Sequence, residues 1–161
     1  METRQCRVRI ATKKDADYIA RNLRVSDVEE LTDGGLTTAA VSESFSRSNY
    51  CRCMCAPDGK PFAIWGCGRI GETDDIGSVW MLGTDQLEHH KLAFGRVCAR
   101  EIKQMLNLFP LLTNFVHASN TRSQKWLVSL GAELCPERCM PLNAKFRQFW
   151  FQKTEATCVH G

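Results

Sequence analysis

Residues 111–133 read LLTNFVHASNTRSQKWLVSLGAE, and this stretch decides the fold. Leu111 to Ala118 is apolar and β-branched enough for a mostly buried strand. Ser119, Asn120 and Thr121 then supply side chains that cap helix starts. Apolar residues follow at helical spacing, namely Trp126, Leu127, Leu130 and Leu134. Gly131 is placed to end the helix in a left-handed conformation. The stretch therefore predicts a strand that passes into a short amphipathic helix, with Asn120 at the junction.

The whole chain fits one domain. At 161 residues, 43% of them hydrophobic, it can bury a sizeable core. We expect that core over residues 8–153 and a flexible tail over residues 154–161. The net charge of +3 is small and the basic residues are scattered, so no nucleic-acid partner is indicated. The N-terminus lacks a signal-peptide pattern and no apolar run reaches about 18 residues, which predicts a cytoplasmic protein without a membrane partner.

Nine cysteines is a high count for this length. Without an export signal we expect reduced thiols that pack as small hydrophobes. Cys51, Cys53 and Cys55 alternate, so a strand would point all three to one face. A zinc site that joins them to Cys135 and Cys139 and a redox role are the alternatives. The CxCxC and CxxxC spacings do not match paired CxxC ligands, so we predict core packing and no metal.

The remaining pattern predicts an α+β or α/β sandwich around one central sheet. Strands are expected at Arg7 to Ala11, Tyr50 to Ala56, Phe62 to Ile70, Ile76 to Gly83, Leu111 to Ala118 and Phe146 to Gln152. Helices are expected from Ala16 to Leu23, Ser26 to Leu31, Thr37 to Arg47, Lys91 to Leu108 and from Thr121 onward. Ser26 and Glu29 have the spacing of a capping box. The turn between the second and third strands carries Gly59 where a positive φ is needed.

Four positions carry a resemblance to a known family. Asn120, Ser123, Trp126 and Gly131 are similar to the last conserved segment of the Gcn5-related N-acetyltransferases. Within that superfamily the chain resembles the small acetyltransferase-like proteins of T7-like bacteriophages. Those proteins share a strand, a TDQ-type turn and a later NT....L...GA run, which correspond here to Val79 to Gly83, Thr84-Asp85-Gln86 and Asn120 to Ala132. The resemblance covers most of residues 8–153 and implies a single domain with a mixed, mostly antiparallel sheet flanked by helices.

The resemblance implies acetyl-CoA as cofactor, bound between the strands Ile76 to Gly83 and Leu111 to Ala118. The pantetheine arm would pair with the backbone of Met81, Leu82 and Gly83. This arm is a pseudo-peptide that can add to a strand edge through main-chain hydrogen bonds, so side-chain identity matters little there.

For the pyrophosphate, the family pattern is Arg or Gln followed by small residues that let the backbone approach. Gln86 keeps the first position, whereas His89 and Lys91 occupy the small-residue positions. Asp85 and Glu88 place carboxylates there and are spaced to cap the following helix themselves. Lys91, His90 and Arg96 offer positive charge, and the resemblance adds Ser123 to the cofactor-binding set.

For catalysis, a base must take a proton from the attacking amine. Glu72 and His117 are our first choices, and Asp74 and Asp75 lie in the same turn as Glu72. Asn120 either orients cofactor or water or is a plain helix cap. The family's usual acid, a Tyr seven residues after the Asn, is Leu127 in this chain. Tyr18 and Tyr50 could replace it only if the fold brought them close.

The sequence thus predicts an acetyl-CoA-dependent N-acyltransferase, phage-encoded, that acetylates an amine of a protein or small molecule in the host bacterial cytoplasm. The alternative is a catalytically degenerate protein of this fold that binds a host protein or serves as a virion component. His89 and Lys91 favour the alternative, while Gln86 and Asn120 favour the enzyme. The sequence leaves a homodimer open.

Overall fold

One seven-stranded sheet organises the computed structural model, which describes residues 5–154. Its strands are β1 (Arg7–Ile10), β2 (Tyr50–Cys55), β3 (Pro61–Arg69), β4 (Ile76–Gly83), β5 (Leu111–His117), β6 (Glu133–Leu134) and β7 (Phe146–Gln152). The helices are α1 (Lys13–Arg21), α2 (Val25–Asp33), α3 (Ala39–Arg47), α4 (Lys91–Leu108) and α5 (Thr121–Ser129). Two 3-10 helices span Asp85–His90 and Glu137–Cys139. The predicted tail lies outside the described residues from position 155 onward.

The sheet has the strand order β1-β2-β3-β4-β5-β7-β6. Every neighbouring pair is antiparallel except β4 and β5, which run parallel. Parallel neighbours need a long crossover, and α4 supplies it. The expectation of a mixed, mostly antiparallel sheet in a single domain is confirmed. The sequence missed β6, because two residues are too short for a periodic pattern.

Helices cover both faces of the sheet. On one face, α1 and α3 bury a cluster that includes Ile19, Val41 and Ile64. On the other face, α4 and α5 cover a larger cluster that includes Phe94, Met105 and Leu127. A helix on either side of one sheet buries an apolar stripe of each helix and both sheet faces.

The ends of the helices agree with the caps predicted from sequence at some positions and not at others. Asn120 accepts a hydrogen bond from the Ser123 amide and caps α5, and Gly131 has φ +101° after that helix, as predicted. The predicted capping box of Ser26 and Glu29 is wrong, because α2 begins one residue earlier and Arg24 precedes it without a side-chain cap. The start of α2 is held by other contacts, described below.

The alternating cysteines of β2 lie on one face, as predicted. Cys53 and Cys55 are buried in the α1 and α3 cluster, and Cys51 packs against it. Cys135 follows β6, and five strand spacings of roughly 4.8 Å separate β2 from β6. A zinc site that joins the two cysteine groups is therefore excluded by distance. None of the helices within residues 5–154 is long and apolar enough to cross a membrane.

Candidate functional site

The parallel strands β4 and β5 separate part-way along their length. Their pairing covers Ile76 with Leu111, Gly77 with Leu112 and Ser78 with Thr113, and then stops. Beyond that point β5 continues against β7 as far as His117. The Asn114 side-chain amide spans the opening and donates to the Val79 carbonyl at 2.6 Å. The edge of β4 after Val79 therefore faces a gap between the two strands, as the resemblance implied.

The pairing of β4 with β3 shows which peptide groups face this gap. The Ile76 carbonyl and the Thr84 amide both bond toward β3, so even-numbered residues of this strand use their peptide groups on that side. Val79, Met81 and Gly83 point their N–H and C=O groups toward the gap instead.

Two of these three residues are already engaged. The Val79 carbonyl accepts from Asn114. The Gly83 amide donates to Asp27 Oδ2 at 2.8 Å, and the Gly83 carbonyl accepts from the Arg24 amide at 3.0 Å. Within residues 5–154, the N–H and C=O of Met81 have no partner on the gap side. Met81 is therefore the open position on this strand edge.

A cleft of about 1000 Å³ surrounds the gap. Its walls come from α2, α3, the ends of β4 and β5, and the first turns of α4 and α5. Of the predicted site residues, those that line it are Met81, Leu82, Lys91, Asn120 and Ser123. The structure thus brings half of the predicted site together, but the Leu82 peptide groups bond toward β3, so the predicted pairing of the pantetheine arm with the Leu82 backbone is wrong.

One end of the cleft carries two cations and a carboxylate. Glu88 Oε2 lies 2.5 Å from Lys91 Nζ and 3.7 Å from Arg122 Nη2, and all three side chains line the cleft. The hydrogen bond from Lys91 lowers the pKa of Glu88. Lys91 begins α4, whose start has no side-chain cap. The expectation that Asp85 and Glu88 cap this helix is wrong, because Thr84 caps the preceding 3-10 helix through the Gln86 amide and Glu88 turns to the cations.

A second carboxylate lies beside Asn120. Glu30 lines the cleft from α2, and its Oε1 accepts from Asn120 Nδ2 at 2.9 Å. Asn120 also accepts from the Ser123 amide at 3.0 Å through Oδ1. The predicted cap is therefore confirmed, and the same amide also holds a charged group in the cleft, whereas a role of Asn120 in orienting cofactor or water stays a prediction.

Gln124 fixes the position of this junction. Its Nε2 donates to the carbonyls of His117 and Ala118 at 3.1 and 3.0 Å, and its Oε1 accepts from Arg147 Nη1 at 3.1 Å. The side chain is 7% exposed. A buried amide with all these partners ties α5 to both β5 and β7, so Asn120 is presented on a rigid support.

His117 lies behind the cleft wall and not in it. Its Nε2 is 3.0 Å from Asp33 Oδ2, and its Nδ1 accepts from the Ser119 amide at 3.2 Å and lies 2.7 Å from Ser119 Oγ. In a neutral imidazole whose Nδ1 accepts a hydrogen bond, the ring proton lies on Nε2, which here faces Asp33. Both ring nitrogens are occupied, so His117 is not placed to take a proton from a substrate in the cleft.

Four other predicted residues do not line the cleft. Glu72 lies in the turn before β4, at the paired end of the strand, and the strand runs about 17 Å from Ile76 to Met81, so the choice of Glu72 as base is corrected. His90 stacks on Phe62 with centroids 4.8 Å apart, which directs it inward. Gln86 is exposed, and the Gly83 peptide bonds to α2 as described.

Neither tyrosine replaces the acid missing at Leu127. Tyr50 donates to Glu101 at 2.6 Å in the α4 core. Burial, followed by this carboxylate, raises the pKa of Tyr50 to about 12. Tyr18 and Tyr50 do not line the cleft, whereas Leu127 does. The cleft is therefore lined by the carboxylate of Glu30 and by Leu127, and by neither tyrosine.

The architecture matches solved structures of acetyltransferases. A spermidine N-acetyltransferase chimera built from a Vibrio cholerae protein superposes with a TM-score of 0.66 at 8% identity, over 92% of this chain and 95% of that one. A Gcn5-related N-acetyltransferase from Kribbella flavida gives 0.65 at 18% identity, over 92% and 98%. An acetyltransferase from Thermus thermophilus gives 0.64 at 13% identity, over 95% and 100%. The chain has the Gcn5-related acetyltransferase fold.

No family model matches the sequence, and no curated protein matches it. The similarity to known proteins is therefore a similarity of fold, and function has to be inferred from the residues of the cleft. Within this acetyltransferase fold, sequence reasoning missed Glu30, Asp27 and Arg122. Glu30 and Asp27 lie in a helix whose pattern gave no sign of the cleft. Arg122 stood beside Asn120 in the decisive stretch, and its position at the start of α5 was the available signal.

Proposed function

We propose that the protein is an acetyl-CoA-dependent N-acyltransferase that transfers an acetyl group to an amine. The observation that carries this proposal is the open peptide of Met81 in the gap between β4 and β5. A pseudo-peptide such as pantetheine can use that N–H and C=O as an added strand would. Solved structures of the same fold described as acetyltransferases support the donor class.

The cations at the start of α4 and α5 fit the phosphates of the donor. Lys91 and Arg122 line the cleft, and Arg122 can bind phosphate oxygens in a bidentate manner. The start of α4 contributes the positive end of its dipole. Ser123 lies at the start of α5 in the same wall. To bind, the phosphates must displace Glu88 from these cations.

The chemistry then needs one nucleophile and one base. The neutral amine nitrogen attacks the thioester carbonyl, the C–N bond forms, and the C–S bond breaks to release the CoA thiolate. Glu30 takes the proton from the amine nitrogen as the C–N bond forms. Asn120 positions the Glu30 carboxylate at 2.9 Å.

Acetyl-CoA binding tests the proposal directly. At about 100 times its Kd the ligand should add about 2.7 kcal/mol of stability, which is a rise in Tm of about 5 to 10 °C for a chain of this size. An added amine should also cause acetyl-CoA to release its CoA thiol. No Tm shift at millimolar acetyl-CoA would refute the proposal.

Gly95 offers a matched pair of control variants. It lines the cleft one turn after Lys91, and an added Cβ there meets nothing within 4 Å. Gly95→Ala should raise stability by up to about 1 kcal/mol through helix propensity and leave binding intact. Gly95→Trp should fill the cleft and abolish the acetyl-CoA shift in a folded protein. Gly83 is unsuitable, because a Cβ there meets Leu87 Cδ2 at 3.0 Å and the Phe62 carbonyl at 3.1 Å.

One arrangement favours a second function, in which the protein binds a host protein or is a virion component without catalysis. Glu88 neutralises part of the cationic end and α2 engages the Gly83 peptide, as in a site that has closed to the donor. Failure of wild-type protein and Gly95→Ala to bind acetyl-CoA would favour this alternative. An origin in a bacteriophage and action in the host cytoplasm rest on the short sequence resemblance alone.

A further inference from the structure

The cleft wall formed by α2, α3 and the neighbouring strand ends is apolar and partly aromatic. Large side chains from these elements line it, namely Leu31, Leu36, Trp80, Leu82, Phe115 and Phe146. Phe115 is 58% exposed and Leu36 is 51% exposed. Large apolar side chains exposed together inside a concave surface are typical of a site for an apolar ligand group.

The charges on this wall are almost all neutralised by partners. Three carboxylates line the cleft, Asp27, Glu30 and Glu88. Asp27 pairs with Arg24 Nε at 2.8 Å and accepts from Gly83, and Glu88 pairs with Lys91 and Arg122. Among residues 5–154, no cation lies within ion-pair distance of Glu30, whose partner is the neutral amide of Asn120.

A single unpaired carboxylate beside an aromatic wall defines the ligand that fits. The carboxylate attracts one ammonium group, and the apolar wall accommodates an aromatic body. A polyamine would bring further charges to a wall without further free carboxylates, which costs desolvation without a partner. An acidic or phosphorylated acceptor on this wall would be repelled by Glu30.

We propose that the acceptor is an aromatic monoamine, which is a primary amine on a short alkyl arm attached to an aromatic ring. This inference rests on the proposed N-acyltransferase function and names its substrate class. Glu30 holds the ammonium, whose first proton passes to solvent to give the neutral amine, and Glu30 then takes the second proton as the C–N bond forms, while Phe115 and Trp80 contact the ring. The amine is thereby held beside the open edge of β4 where the thioester would lie.

Acetyl transfer to matched amines tests the proposal. With saturating acetyl-CoA and thiol release as the readout, kcat/KM for phenethylamine and tryptamine should exceed that for spermidine and for a lysine-containing peptide by at least tenfold. Phenethyl alcohol, which lacks the charge, should not compete with phenethylamine. Faster transfer to spermidine or to the peptide would overturn the acceptor class while the N-acyltransferase function stood.

Variants of the wall separate binding from chemistry. Phe115→Ala should raise KM for phenethylamine about tenfold, keep kcat and the acetyl-CoA shift, and be rescued by Phe115→Tyr. Leu108→Ala removes a side chain that is 47% exposed at the far end of α4 and should change neither constant. An unchanged KM in Phe115→Ala would overturn the assignment of this wall. Absence of any acetyl-CoA shift in wild-type protein would overturn both proposals.

Discussion

The contact between Asp27 and Gly83 attaches α2 to β4, and its contribution to the free energy of unfolding can be worked out from the structure. Asp27 is 6% exposed. Its Oδ2 accepts from the Gly83 amide and from Arg24 Nε, both at 2.8 Å. A hydrogen bond to a charged group contributes about 1.5 to 3 kcal/mol, and a buried N–H without a partner costs about 1 to 3 kcal/mol. The carboxylate regains the solvation lost on burial when the protein unfolds, which offsets part of this sum.

We therefore expect Asp27→Ala to lower the free energy of unfolding by about 3 kcal/mol. Asp27→Asn should cost about 1 to 1.5 kcal/mol, because its amide oxygen still accepts from Gly83. For this chain length, 3 kcal/mol corresponds to a fall in Tm of about 6 to 12 °C. Urea unfolding followed by circular dichroism measures both variants against wild type.

Glu29→Ala is the control on the same helix, since Glu29 is exposed and its loss should cost less than about 0.5 kcal/mol. If Asp27→Ala were as stable as Glu29→Ala, the assignment of α2 as a helix anchored through Gly83 would be refuted. Hydrogen exchange gives a second readout, because loss of the carboxylate should speed exchange of the Gly83 amide before global unfolding.

Three further predictions concern catalysis, acid stability and thiol reactivity. Glu30→Gln should lower kcat/KM for an amine acceptor by about 10² to 10⁴ while acetyl-CoA still raises Tm, and a fall below twofold would remove Glu30 as the base. Burial raises the pKa of Asp15, but hydrogen bonds from Arg9 and Thr12 outweigh it and lower that pKa to about 2. The stability this contributes is present above about pH 4 and is lost as pH falls toward 2, so the steep loss of stability over that range in urea titrations should be shallower in Asp15→Asn. Iodoacetamide at pH 8 should alkylate exposed Cys139 well before the core thiols, because burial raises the pKa values of the core thiols. These thiols are Cys51, Cys53, Cys67 and Cys98. Peptide mass spectrometry of native and denatured protein measures the difference.

The fold was accessible from sequence wherever a pattern was long and local. The run from Leu111 to Ala118, the cap at Asn120 and the positive φ at Gly131 each follow from neighbours in the chain. The long helix Lys91–Leu108 was predicted with its observed bounds, because Pro110 ends any helical reading. The gap between β4 and β5 was predicted from the family resemblance, because the hydrophobic pattern of the sequence does not indicate where two strands separate.

The candidate site was only half accessible, since its key contacts join distant segments. Glu30 and Asn120 are 90 positions apart, and Asp27 and Gly83 are 56 apart. Sequence order points to Glu72 as base because it lies just before β4, but the gap opens at the other end of that strand. Chain proximity predicts a shared element, whereas a catalytic pair depends on which element ends meet in space.

Magnitudes decide how much the missing acid at Leu127 matters. A lysine-like amine with a pKa of about 10.4 needs about 4.6 kcal/mol to lose its proton at pH 7. A thiol with a pKa of about 8.5 leaves as thiolate at a cost of only about 2 kcal/mol at that pH. The acceptor side of the reaction therefore needs help more than the leaving-group side does. The cleft matches this difference. It presents the carboxylate of Glu30 for the amine, and it has Leu127, which is 8% exposed, where the resemblance expects a tyrosine acid for the thiol. The hydrogen bond from Asn120 holds the proposed base, Glu30, in the cleft wall, where it can meet the larger of these two costs.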